Sequence, residues 1–149
     1  MDSITRTIKL IVPRALLQRV LPLYHHTLAY MGHILYGRPS TKITIIGVTG
    51  TKGKSSTTEI IDAVLRAGGN KTAVAGTIRF SIGDSHEPNL FKQSMPGRMY
   101  LQKFLAKAVR AKCDVVIIEM TSEGALQYRN RWIYLDALVV TNLRPEHLE

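Results

Sequence analysis

Ile43-Thr44-Ile45-Ile46-Gly47-Val48-Thr49-Gly50-Thr51-Lys52-Gly53-Lys54-Ser55-Ser56 is the stretch that decides the reading of this chain. A β-branched run ends in a glycine-rich turn, and the turn opens into a helix-prone segment. That is the sequence form of a phosphate-binding P-loop. Gly50 and Gly53 allow the backbone to curl so that several N–H groups converge on one anion. The helix that follows turns its positive dipole end to the same point. Lys54 adds a mobile charge for terminal phosphates, and the Ser55 hydroxyl suits Mg²⁺. The usual spacing places a glycine where this chain has Val48; the additional glycine, Gly47, lies one residue earlier.

The 149 residues predict one domain with a substantial core. A formal net charge of +9 favours anionic partners. The charges are scattered, without a dense Lys/Arg block or an RNA-binding aromatic motif, which argues against nucleic acid. Cys113 is the single cysteine, so no internal disulfide can form. It precedes an apolar run and reads as a small buried hydrophobe. No secretory signal and no membrane-length apolar run is present, and the expected compartment is cytoplasmic.

In chain order, residues 1–41 read as an N-terminal helical segment and 42–149 as an α/β domain. Leu16, Leu17, Val20, Leu21, Tyr24, Leu28, Met31 and Leu35 recur at helical spacing. Pro13 suits the first turn, Pro22 should kink or split the helix, and Gly37-Arg38-Pro39-Ser40 ends it. This basic segment reads as a helix packed on the domain, with membrane-surface contact the less favoured alternative. His25, His26 and His33 have no accompanying Cys or carboxylate and read as ordinary helix residues. Strands are expected over 42–47, 71–75, 79–82, 114–119 and 135–141. Helices are expected over 54–67, with Ile60, Ile61, Val64 and Leu65 on the apolar face, and over 99–112. A short helical turn fits 123–129, and 83–97 reads as a surface loop. The alternation predicts a P-loop-type, three-layer α/β/α fold with a mostly parallel sheet.

Two further strand ends carry chemistry. Val115-Val116-Ile117-Ile118-Glu119 is an apolar strand closed by a carboxylate. In an open α/β sheet ligands collect at such ends, so Glu119 is a candidate Mg²⁺ ligand. Val139-Val140-Thr141-Asn142 ends similarly, and Glu146-His147 follows. On the residues alone His147 is either a surface histidine or a second metal ligand.

Gly47 to Ser56 resembles the ATP loop of the Mur ligases, the peptidoglycan enzymes that join amino acids to UDP-MurNAc substrates. Four further stretches resemble the same family in the same order. They are Gly76-Thr77-Ile78, Ser94-Met95-Pro96, the segment from Glu119 to Arg129, and Thr141-Asn142-Leu143 with Glu146-His147-Leu148-Glu149. The pattern is most similar to the UDP-N-acetylmuramyl-tripeptide synthetase branch. The resemblance implies that Gly50, Thr51, Lys52, Gly53, Lys54, Ser55 and Ser56 hold the phosphates of ATP. It implies one Mg²⁺ on Ser55 and Glu119 and a second on Glu119 and His147, with Lys54, Glu119 and His147 as the catalytic set. Ser94, Met95, Thr121, Gln127 and Arg129 match positions that touch the acyl substrate. The implied reaction is attack of a substrate carboxylate on ATP, then capture of the acyl phosphate by the amine of an amino acid.

Met95 stands where that branch has a hydroxyl residue, and Glu123 where it has a histidine. The uridine-binding domain that usually precedes the loop has no counterpart in residues 1–41. The family's bridging lysine and amino-acid-binding domain would lie beyond Glu149, so the domain is expected to be incomplete at its C-terminus and inactive alone. A folylpolyglutamate-synthetase-like ligase, another P-loop kinase or NTPase, and a non-catalytic nucleotide-binding module remain as alternatives.

Overall fold

The computed structural model describes residues 14–89 and 94–143, with side chains from Pro22 onward. Pro13 and the first twelve residues lie outside that range. Helix α1 spans Arg14–Leu35, and a 3-10 turn at Pro39–Thr41 leads to strand β1, Thr44–Thr49. Helix α2 is Lys54–Ala67, and strands β2, β3 and β4 are Thr72–Ala75, Arg79–Ile82 and Ser85–Pro88. Helix α3 (Arg98–Arg110), strand β5 (Val115–Glu119), helix α4 (Ser122–Leu126) and strand β6 (Ala137–Val140) complete the described chain. The strands form one sheet in the order β4-β3-β2-β5-β1-β6. β2, β5, β1 and β6 are parallel, and β3 and β4 join antiparallel at one edge. The expected three-layer α/β/α arrangement with a mostly parallel sheet is present.

Strand alternation divides the core. Ile45, Ala73, Ala75, Val116 and Ile118 meet Leu101, Phe104, Leu105 and Ala108 of α3. Val48, Val74 and Ile117 point the other way, onto Ile61 and Leu65 of α2. Strand starts are pinned by carboxylates: Asp114 Oδ2 accepts from the Lys71 N–H and Asp136 Oδ2 from the Ile45 N–H, both at 2.7 Å. Cys113 is buried beside β2, and burial pushes its thiol pKa up.

Several expectations need correction. Helix α1 continues through Pro22 rather than splitting there. Its packed face is not the Tyr24, Met31 and Leu35 stripe, since these are 55%, 58% and 70% exposed. Instead Ala29, Gly32 and His33 face inward. Gly32 lets α1 approach α3 closely, because a Cβ there would lie 2.9 Å from the Met99 sulfur. His26, Tyr30 and His33 gather around the Trp132 ring with centroids 5.1–5.8 Å away. On α2, Ile61 and Leu65 pack inward, but Ile60 and Val64 face solvent. The segment read as a loop over 83–97 contains β4. Its four residues are all exposed, so no apolar alternation marks it, and backbone pairing to β3 holds it.

The face of α2 is set by a buried carboxylate. Asp62 is 3% exposed and accepts from Arg79 Nη2 at 2.7 Å, from Arg66 Nε, and from the Thr72 hydroxyl. Arg79 also holds Glu59, at 2.8 Å. Burial pushes the Asp62 pKa up, but the hydrogen bonds from Thr72, Arg79 and Arg66 outweigh it and leave the carboxyl below its ordinary value. The resulting stabilisation is present above that ordinary value and disappears as pH falls through the lowered one. Asp62→Ala removes the shared buried acceptor of Thr72, Arg66 and Arg79, although Arg79 keeps Glu59, and should cost about 3 kcal/mol at neutral pH, read as a lower urea midpoint. The difference from wild type should shrink in acid, where the wild-type carboxyl is itself protonated.

Candidate functional site

Glu119 ends the central strand β5 and is 1% exposed. Parallel pairing sets Val48 of β1 level with it, so the loop that leaves β1 passes the carboxylate. Ser55 Oγ donates to Glu119 Oε1 at 2.8 Å, and the Thr77 N–H donates to Oε2 at 2.6 Å. Thr77 Oγ1 lies 2.5 Å from Ser94 Oγ. Thr51 to Ser56, Thr77, Ser94 and Glu119 line one open cleft of about 380 Å³. The glycine loop, the strand-end carboxylate and the first candidate substrate residue, Ser94, therefore share one wall.

The loop has the left-handed backbone that its glycines suggest, with φ of +135° at Gly50 and +83° at Gly53. A Cβ at Gly50 would fall 2.1 Å from Thr141 Oγ1. Lys54 folds its ammonium back onto the loop, donating to the Gly50 carbonyl at 2.7 Å and to the Thr51 carbonyl at 3.1 Å.

Two residues to which sequence reasoning gave no role of their own hold this turn closed. Asn142 Oδ1 accepts from the N–H groups of Thr51 and Lys52 at 3.0 and 3.1 Å, and its amide donates to the Lys52 carbonyl at 2.9 Å. Thr141 Oγ1 donates to the same carbonyl at 2.7 Å. Their signal is faint: two short polar residues directly after an apolar strand. Thr77 likewise stands out in the sequence only as part of a motif.

The other substrate-side candidates lie together. Thr121 caps α4, its hydroxyl accepting from the Gly124 N–H at 3.0 Å. Gln127 accepts from Arg129 Nη2 at 2.7 Å, and Arg129 also donates to the Met95 carbonyl. The Met95 side chain is 1% exposed and points into the core rather than toward the cleft. Its sulfur fills the space left by Gly124, where a Cβ would be 2.4 Å away, and accepts from the Thr121 N–H at 3.4 Å. Glu123 accepts from the Gln127 amide at 2.9 Å. Glu146 and His147 lie outside the described residues.

The residues fit a magnesium ion held jointly with a phosphate chain. Ser55 and Glu119 offer adjacent hard oxygens within the cleft. Among the described residues no cluster of three His, Cys, Asp or Glu side chains could form an all-protein cage. Mg²⁺ commonly takes one or two carboxylates and completes its shell with phosphate and water.

The family model for the Mur ligase middle domain matches residues 48–149. The chain belongs to the Mur ligase family. It is 37% identical over 123 residues to the UDP-N-acetylmuramoyl-L-alanyl-D-glutamate--2,6-diaminopimelate ligase of Bacillus cereus, covering 83% of this chain and 25% of that protein. It is 37% identical over 116 residues to the UDP-N-acetylmuramyl-tripeptide synthetase of Treponema pallidum, covering 76% of this chain and 22% of that protein. A solved structure of a UDP-N-acetylmuramoyl-L-alanyl-D-glutamate--2,6-diaminopimelate ligase superposes with a TM-score of 0.63 at 25% identity, covering 72% of this chain and 21% of that one. The chain thus spans about a quarter of the length of these relatives. Among the described residues no helix of this Mur ligase chain is long and apolar enough to cross a membrane.

The Asn142 clamp is testable without a ligand. Asn142→Ala removes three hydrogen bonds to the loop, and a net loss of about 1.4 kcal/mol in local stability is a factor of about ten in opening. Amide exchange at Thr51 and Lys52 should accelerate about tenfold or more while the β5 amides keep their rates. Unchanged exchange at both loop amides would remove the clamp from the argument.

Proposed function

We propose that this chain carries the ATP-binding core and part of the acyl-substrate site of a cytoplasmic, ATP-dependent ligase of peptidoglycan synthesis. Its substrates in this reading are a UDP-MurNAc-peptide and an amino acid. The observation that carries the reading is the continuous polar line Ser55–Glu119–Thr77–Ser94, which joins the phosphate loop to the substrate-side residues. A simple NTPase, whose acceptor is water, has no need of that second half.

In the proposed reaction the substrate carboxylate attacks the γ-phosphorus. One O–P bond forms, the bond to the β-phosphate oxygen breaks, and ADP leaves. An amine then attacks the acyl carbon, loses a proton and expels phosphate. Asn142 takes the Thr51 and Lys52 N–H groups, so the backbone from Gly53 into the start of α2, with Lys54, would hold and neutralise the phosphates, and the chain's contribution is positioning and charge stabilisation. Ser55 and Glu119 would hold Mg²⁺, which when bound neutralises phosphate charge; His147 is retained as a proposed further ligand. Ser94, Thr121, Gln127 and Arg129 would position the acyl substrate. Met95 contributes its backbone carbonyl and its buried bulk. Groups for the amine and for the adenine are assigned to no residue of this chain.

Lys54→Ala should weaken binding of a fluorescent ATP analogue by about tenfold or more, since a charged partner of the phosphates is lost. Equal affinities in folded wild type and variant would sink the phosphate-loop assignment. Glu119→Gln can keep both hydrogen bonds, accepting from Thr77 and donating to Ser55, while losing the charge. Mg²⁺ should therefore enhance nucleotide binding in wild type and much less in the variant. Equal enhancement would make Glu119 a structural residue only.

A further inference from the structure

Helix α1 is held to the domain by one face and leaves the other bare. Its inward residues Ala29, Gly32 and His33 meet α3 and Trp132. Away from that face, Leu23, Tyr24, Tyr30, Met31, Ile34 and Leu35 are 43–70% exposed. Their spacing of three and four residues gathers them into one stripe along the helix. Thr27 falls within the stripe and turns its hydroxyl back to the Leu23 carbonyl at 2.8 Å. Pro22 to Leu35 contains no Asp, Glu, Lys or Arg. Single exposed apolar residues are ordinary, but a continuous stripe without charge marks a contact surface.

The charges at the ends of the stripe indicate what covers it. Arg14 and Arg19 fall in the first two turns of α1, and Arg38 follows its last turn. Arg6 and Lys9 precede them, and Asp2 is the single acid in residues 1–41. A second copy of the chain fits this pattern poorly. Pairing α1 with α1 would set basic ends against basic ends in either direction, with no acid on the helix to answer them. Anionic lipid headgroups do answer them. No helix among the described residues is long and apolar enough to cross a bilayer, so the geometry is that of a helix lying in its surface. Tyr24 and Tyr30 combine an apolar ring with a polar tip, which suits that boundary.

We propose that α1 docks this chain peripherally on an anionic lipid surface, through the stripe from Leu23 to Leu35 and the basic residues at its two ends. The stripe enters the boundary between headgroups and acyl chains, and the arginines stay among the headgroups. Helix α1 packs against α3, and α3 and α2 cover opposite faces of the sheet. The docked chain therefore keeps α2 turned away from the bilayer. The proposal is independent of the ligase reading, since it uses no residue of the cleft.

The test is co-sedimentation of the whole chain with vesicles, either of phosphatidylcholine alone or of phosphatidylcholine and phosphatidylglycerol in equal parts. Wild type should partition to the anionic vesicles about tenfold or more strongly than to the neutral ones, and added salt should reduce the preference. Met31→Ser combined with Ile34→Ser should weaken binding to anionic vesicles by about tenfold or more. Arg14→Gln combined with Arg19→Gln should weaken the same binding by about tenfold and leave binding to neutral vesicles unchanged. Ile60→Ser, at a similarly exposed position on α2, should bind as wild type does. Trp132 is the single tryptophan and packs against His26, Tyr30 and His33, so its fluorescence verifies that α1 stays in place in each variant. If the serine variant unfolds, the arginine variant and the lipid preference of wild type still decide. No binding to either vesicle, equal binding to both, or equal losses in the serine variant and Ile60→Ser would overturn the proposal. So would a lipid-free dimer that binds no vesicle and that the serine variant splits in sedimentation velocity, because the stripe would then be an interface between copies.

Discussion

A carboxylate that is 1% exposed must find donors for both oxygens, and Glu119 takes them from two different connections. Ser55 belongs to the turn between β1 and α2, Thr77 to the turn between β2 and β3. An uncompensated buried charge costs several kcal/mol, so neither turn can leave without a penalty. The parallel register of β1 on β5 and of β2 on β5 brings both turns to the same strand end. The geometry of the cleft is therefore a consequence of sheet order. Ser94 is then drawn in through Thr77, although it precedes a different helix. A single buried carboxylate thus couples the loop, the sheet and Ser94.

The glycine loop depends on a second constraint of the same kind. A glycine-rich turn is entropically costly to hold in one shape. Asn142 and Thr141 supply acceptors and donors that fix it from the neighbouring strand. Gly50 permits that contact by having no Cβ to meet Thr141. This explains why β6, a short edge strand with Leu138 and Val140 about half exposed, matters to the site. Its role is to carry Thr141 and Asn142 to the loop more than to add core.

What the sequence made legible was the local chemistry: a β-branched run, a glycine turn, an acid closing an apolar strand. Those features are written within a few residues, and the five expected strands and helices α2 and α3 lie close to their expected positions. What it hid depends on residues far apart. The inward face of α2 could not be told from Ile60, Ile61, Val64 and Leu65 alone, because Asp62 and its partners Thr72 and Arg79 decide it. Strand β4 has no apolar signature, since its residues are exposed and β3 holds it by backbone pairing and a polar contact of Arg79 with His86. Met95 looked like a substrate contact by position, yet its sulfur answers Gly124, 29 residues later in the chain. The inward stripe of α1 was misjudged because small and histidine residues, which hydropathy ranks low, fit against Met99 and Trp132 better than leucine would.

The arrangement of Lys54 shows how such a pre-shaped loop can favour its ligand. The turn is already curled, so an arriving phosphate chain need not order the backbone. Lys54 must give up two bonds to neutral carbonyls, at 2.7 and 3.1 Å. Such bonds from a charged donor contribute about 1.5–3 kcal/mol each in net terms at most. A full negative charge at about 4 Å, in an effective dielectric of about 20, attracts the ammonium by about 4 kcal/mol. A triphosphate offers more than one such charge, and the carbonyls can turn to solvent in the open cleft. If the loop takes a triphosphate as proposed, its second charge tips the exchange toward the phosphate, and the resting bonds keep the lysine beside that position. A lysine left free in solution would first have to lose about 2 kcal/mol of side-chain entropy. Here part of that loss is taken when the loop folds, before any nucleotide arrives.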